Sequence, residues 1–188
     1  MLPIYTYGMI AAGTTLWAAP FPLQRSKQKR WLKLDPRARW GVALEGIGYT
    51  LLWQGKFWMR SLASWQTALA MLLFATACVL SWSAAFALGQ QLRVDAVVIH
   101  DHRLIRSGPY RIVRHPIYAS MLCVLVATGT LIAPLYLSIA ALSLFLIGTE
   151  IRIFAEEKLL ESQFGDEFRN YRSAVKGLVP LLKSTTPG

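Results

Sequence analysis

Charge is scarce in this sequence, and negative charge is the scarcer sign. Asp, Glu, Lys and Arg make up 16% of its 188 residues, where a soluble domain carries about a quarter. Ten acids face twenty bases, for a formal net charge of +10. Cysteine is nearly absent. Cys78 and Cys123 both fall inside apolar runs, where they read as small hydrophobes and exclude a disulfide scaffold. Histidine is limited to three residues, and His100-x-His102 has no third ligand beside it. A zinc site needs three or four, so no metal is expected. No glycine-rich phosphate loop follows a strand, and no Ser/His/Asp nucleophile set is visible. A hydrophobic content of 54% excludes intrinsic disorder.

What is present is long apolar runs separated by basic loops. A nucleic-acid binder would not interrupt its basic surface in this way, so no nucleic-acid partner is expected. The pattern is that of an all-α integral membrane protein. A membrane helix needs about 20 mainly apolar residues to cross about 30 Å of hydrocarbon, and about five stretches qualify. They begin with Leu2 to Leu23, which ends in Pro20-Phe21-Pro22. Trp40 to Trp58 contains Glu45, Gln54 and Lys56, with Trp40, Trp53 and Trp58 placed as interfacial residues. Thr67 to Leu88 is rich in Ala and Leu. Pro116 to Ala133 and the run from Leu135 onward are separated only by Pro134 and form a hairpin, about 116–160.

The bases cluster between the first and second runs, at 25–39, and between the third and fourth, from Arg93 to Arg114. By the positive-inside rule both loops and the C-terminal tail face the cytoplasm, and the loop at 25–39 also touches anionic headgroups. No base precedes Arg25, so the first run lacks the basic flank of a cleaved signal and is expected to be retained. The chain divides into an N-terminal part, 1–92, with three spans, and a part with the polar chemistry, 93–188.

Two segments hold that chemistry. In the first, Ser107-Gly108-Pro109 signals a turn, and Pro116 suits the first turn of a helix. His115 then stands at a helix N-terminus, which favours a carboxylate or phosphate. Arg111, Arg114 and His115 have two readings, a ligand site or a headgroup anchor. In the second segment, Arg152 and Glu156 lie four residues apart on one helix face. They are either a weak surface ion pair or, as ionisable groups at membrane depth, part of a functional site. Glu45 has the same two readings, the plain one being a pair with an arginine of a basic loop.

Leu104-Ile105-x-Ser107-Gly108-Pro109-Tyr110-Arg111, then Arg114-His115-Pro116-Ile117-Tyr118, then Glu156-Glu157 and Phe164-Gly165-Asp166-Glu167-Phe168 with Tyr171, resemble the isoprenylcysteine carboxyl methyltransferases and their phospholipid-methyltransferase relatives. The resemblance runs from Asp95 to Leu182. It implies a membrane transferase that binds S-adenosyl-L-methionine in a pocket closed by a cytoplasmic C-terminal helical segment. It assigns the cofactor to His102, Arg103, Leu104, Ile105, Tyr110, His115, Pro116, Ile117, Tyr118 and Glu156, and the substrate carboxylate to Arg152. The implied acceptor is a lipophilic small molecule, lipid or prenylated substrate, with the carboxylate of a prenylcysteine-like molecule ahead of an amine such as a phosphatidylethanolamine headgroup. Ser120 stands where the family usually has Gly, and Phe168 where Tyr is common. The short N-terminal part points to a prokaryotic plasma membrane rather than endoplasmic reticulum. An NADPH-dependent lipid reductase is a competing class, separated by which cofactor binds.

Overall fold

A computed structural model describes residues 3–24, 33–34, 36–54, 61–89, 97–98 and 104–178. The described residues form seven helices: α1 (Ile4–Ala18), α2 (Pro20–Gln24), α3 (Ala38–Leu51), α4 (Ser64–Leu88), α5 (Pro116–Ile132), α6 (Leu135–Phe164) and α7 (Asp166–Ala174). The first apolar run is thus split in two, and its break is chemical. Pro20 has no N–H for the carbonyl of Leu16, which instead accepts the indole N–H of Trp82 at 2.9 Å. The same device recurs at the hairpin. Pro134 cannot serve the carbonyl of Thr130, and the side-chain amide of Gln66 reaches it from α4 at 3.4 Å.

Among the described residues, two helices are long and apolar enough to cross a membrane, α4 with 25 residues and α6 with 30. α5 is a shorter apolar helix, whereas α1 and α3 have 15 and 14 residues, short of the about 20 that a straight crossing needs. Trp65, Leu72, Val79 and Phe86, seven apart on α4, are all exposed. Such an apolar stripe suits a lipid surface rather than water. The core lies between α1, α4, α5 and α6, around Phe74, Leu125, Leu131 and Phe145.

Glycine sets two features that place the site. α3 runs antiparallel to α6 at near backbone contact. A Cβ on Gly41 would lie 2.5 Å from the carbonyl oxygen of Gly148, and one on Gly148 would lie 2.6 Å from that of Gly41. Small residues permit this approach where lipid supplies no hydrophobic drive. At the other end of α6, Gly165 takes φ 49°, a conformation that side chains resist, and the chain turns into α7. At about 1.5 Å per residue α6 is about 45 Å long, longer than the about 30 Å of hydrocarbon.

Lys33–Leu34 and Val97–Val98 pair as a two-residue antiparallel ladder. This pairs one strand before α3 with one after α4.

Candidate functional site

The segment before α5 is shaped by a 3-10 turn, Gly108–Arg111, and by the chain's last described residues. Val113 bridges to Lys176 in parallel. The backbone N–H groups of Arg114 and His115 donate to the carbonyls of Lys176 (2.8 Å) and Gly177 (3.2 Å). The hydroxyl of Tyr171 on α7 donates to the carbonyl of Tyr110 at 2.7 Å. Burial pushes the Tyr171 phenol up to about 12, so it remains a donor at neutral pH. Tyr110 is also raised, first by burial and then by the charge of Glu156. The C-terminal segment is thereby strapped along the turn that opens α5.

Arg114 locks this strap from inside. Its guanidinium meets Glu157 of α6 through Nε at 2.9 Å and Nη2 at 2.8 Å. Nη1 donates to the carbonyls of Arg172 (2.9 Å) and Val175, closing the C-terminal end of α7 with a cation. At 5% exposure, Arg114 is no headgroup anchor. The anchor reading fails for His115 as well, which is equally buried; Arg111 is exposed and compatible with it.

His115 is the residue before α5, and Pro116 is its first helical position. The imidazole lies between two glutamates, Nε2 at 3.0 Å from Glu157 Oε1 and Nδ1 at 3.7 Å from Glu156 Oε2. A carboxylate only accepts, so Nε2 carries the proton toward Glu157. The N–H groups of Ile117 and Tyr118 precede the first helical bond of α5, from Ala119 N–H to His115 at 3.1 Å.

Tyr118 is the common wall of the site. Its ring stacks on His115 with centroids 5.7 Å apart, and its hydroxyl donates to Glu156 Oε2 at 3.2 Å. The guanidinium carbon of Arg152 sits 4.7 Å from the ring centroid, within cation–π range. The Glu156 side chain is 37% exposed, so its carboxylate faces an open side. Arg152 is 7% exposed and Glu45 3%, and their contact is 2.5 Å. Thr149 donates to the other Glu45 oxygen at 3.0 Å.

Of the residues singled out in the sequence, His115, Pro116, Ile117, Tyr118, Arg152 and Glu156 therefore come together where α5 begins and α6 leaves the bundle. Tyr110 closes the side under α7. Leu104 and Ile105 are half-buried just before the 3-10 turn, whereas His102 and Arg103 lie outside the described residues. Arg152 is not a surface residue, and the partner of Glu45 is Arg152 rather than an arginine of a basic loop. A shallow groove lined by Arg106, Arg111, Asn170, Tyr171, Ala174 and Val175 runs on the outer side of the strap. Tyr118, Arg152 and Glu156 do not line it.

Sequence reasoning overlooked Glu157 as the joint partner of Arg114 and His115. It also overlooked Thr149 and the glycines that admit Glu45. The seven-residue spacing of Gly41 and Gly48, matched by Ala141 and Gly148, was the available signal for that close seam. Ser120 is fully buried. Its hydroxyl donates to the carbonyl of Ile117 at 2.6 Å and accepts the indole N–H of Trp17 at 2.9 Å. The Ser120 hydroxyl thus ties α5 to α1.

A profile of the phospholipid methyltransferase family matches residues 65–167, more than half of the chain. Among curated proteins, the chain is similar to a protein-S-isoprenylcysteine O-methyltransferase of Schizosaccharomyces pombe. The two are 28% identical over 165 residues, covering 78% of this chain and 68% of the relative. It is also similar to a methanethiol S-methyltransferase of Pseudomonas deceptionensis, 37% identical over 75 residues, 39% of this chain and 27% of the relative. The chain thus matches only about a quarter of the length of that second relative.

Proposed function

The chain belongs to the phospholipid methyltransferase family, and from that premise we propose that this membrane methyltransferase transfers a methyl group from S-adenosyl-L-methionine to a lipophilic acceptor at the cytoplasmic face. The observation that carries this reading is the arrangement around Tyr118: a half-exposed carboxylate on its hydroxyl, an imidazole on one face and a guanidinium over the ring.

These residues fit the donor. Glu156 presents a partly exposed anion, suited to a cationic sulfonium or ammonium. The first-turn N–H groups of Ile117 and Tyr118 suit a carboxylate. Bound S-adenosyl-L-methionine supplies a methyl carbon activated toward nucleophiles. The residues then hold and orient. His115, fixed by Glu157, keeps the Tyr118 ring in place, and the strap from Tyr171 to Gly177 excludes water from that side. Holding reactants in line supplies most of the rate when no proton has to move. Arg152 stands at the acceptor end, where a guanidinium suits a carboxylate, and the S. pombe relative is named for an O-methyl transfer. We therefore take a prenylcysteine-like carboxylate as the acceptor.

A second reading is an amine acceptor in a phospholipid headgroup. It is favoured by the nearness of the Glu156 carboxylate to His115 Nδ1, since an amine must first lose a proton to such a base.

The test is transfer of labelled methyl from S-adenosyl-L-methionine into a farnesylcysteine analogue and into phosphatidylethanolamine vesicles, with the product identified. Glu156→Ala is expected to abolish donor binding while the protein still inserts and folds. Unchanged donor affinity in that variant tells against the site. Binding of NADPH without binding of S-adenosylhomocysteine tells against the function.

A further inference from the structure

We propose that Glu45 is a positioning residue for methyl transfer: from α3 it fixes the guanidinium of Arg152 over the Tyr118 ring, so the N-terminal part of the chain completes the acceptor end of the site. This rests on the functional reading above, in which Arg152 faces the acceptor. Glu45 lies outside the residues that match the family profile.

Both carboxylate oxygens of Glu45 are committed, Oε1 to the Thr149 hydroxyl and Oε2 to Arg152. A buried ion pair is a poor device for stability, because well-packed apolar residues of similar volume often do as well or better. Orientation is what an apolar replacement cannot supply. Arg152 ends a long, freely rotating stem. Here its head is held from one side by Glu45 and from another by the ring of Tyr118. The Tyr118 hydroxyl in turn bonds Glu156 at the donor end. The result is a continuous series of contacts, Glu45 to Arg152 to Tyr118 to Glu156, that refers the acceptor end to the donor end. In-line transfer is sensitive to this kind of registration, since a misplacement of about 1 Å is enough for about a 10²-fold loss.

α3 delivers the carboxylate because nothing larger than hydrogen separates it from α6. Gly41 is one turn before Glu45, and a Cβ there would lie 2.5 Å from both Arg152 Cγ and the Gly148 carbonyl. The glycine seam and the buried carboxylate therefore act together on one side chain.

The experiment uses the full chain in phosphatidylethanolamine vesicles. It follows labelled methyl into the farnesylcysteine analogue or the phospholipid, whichever the wild type methylates, beside direct measurement of S-adenosyl-L-methionine affinity. Glu45→Gln keeps the shape and removes the charge. It is expected to lower kcat/KM for the acceptor by about 10²-fold while donor affinity stays within about twofold. Glu45→Asp is expected to recover part of the loss. In an Arg152→Gln background, Glu45→Gln is expected to add nothing further. Gly41→Ala, which alters neither charge, is expected to reproduce the acceptor defect, and it keeps the test sharp should Glu45→Gln fail to fold. Equal losses for donor and acceptor, an additive double variant, or wild-type acceptor kinetics in Gly41→Ala overturn the proposal. A wild-type chain that methylates neither acceptor instead removes the functional reading, and this inference with it.

Discussion

Two arginines of this molecule bury their guanidinium groups against glutamate, and the two sites differ in what else holds them. Arg114 meets Glu157 and also the carbonyls of Arg172 and Val175, so it joins α6 to the end of α7 and closes the strap. Arg152 meets Glu45 across the α3–α6 seam, with a tyrosine ring as its other surface. The first site is built into backbone; the second is built from buried side chains. Burying two charges repays its desolvation only when the remaining donors and acceptors are satisfied. Arg114 meets that condition within the scaffold. A charge embedded among carbonyls fixes chain path, whereas one between side chains fixes the pose of a group.

The largest effect is expected from breaking the first site. Arg114→Ala leaves the buried Glu157 with only His115 and the longer contact to Arg172, and it opens the end of α7, a loss of about 3–5 kcal/mol. Thermal unfolding in detergent is expected to shift strongly, and limited proteolysis is expected to cut first near α7. An Arg114→Ala chain whose strap resists protease as well as wild type would erase the distinction between the two sites.

A middle effect is expected at the second site from its backbone side. Gly148→Ala places a methyl 2.6 Å from the Gly41 carbonyl and 3.2 Å from Glu45 Cγ. Overpacking of this kind costs about 1–3 kcal/mol. A cysteine pair placed across α3 and α6 is expected to crosslink more slowly in this variant, while protease resistance at α7 stays that of the wild type. Loosening of both regions together would mean that the seam and the strap are one unit.

The same contrast explains what could be read from the sequence. Of the Arg114 site only the local pieces were legible, the turn at Ser107-Gly108-Pro109 and the run from Arg114 to Tyr118, because its partners Glu157, Arg172 and Val175 stand 43 to 61 residues away. Proline breaks at Pro20 and Pro134 were equally plain, since they follow from a missing N–H. The length of the spans was less so. Apolar composition continues past Ala18 and Leu51 although the helices end there, because composition records solubility in lipid and not hydrogen-bond continuity. Least legible was the partner of Glu45, which stands 107 residues from Arg152. Local periodicity says nothing of which two helix faces meet; only the paired seven-residue glycine and alanine spacings hinted at it.

The smallest effect tests whether the N-terminal part contributes anything to the site beyond Glu45. Ser120 differs from the family's usual Gly, and its hydroxyl links Trp17 of α1 to α5 two residues after Tyr118. Ser120→Ala removes the acceptor for one indole N–H in a half-buried setting and is expected to cost about 1 kcal/mol. Ser120→Gly restores the family residue and is expected to cost about 1 kcal/mol more, from the flexibility of glycine inside a helix. Methyl transfer is expected to be unchanged in the alanine variant, because the bond points away from Arg152 and Glu156 toward α1. If Ser120→Ala instead lowered acceptor turnover as Glu45→Gln is expected to, α1 would also be setting the pose of Tyr118. The division between a backbone-held strap and a side-chain-held acceptor end would then have to include the first helix as well as the third.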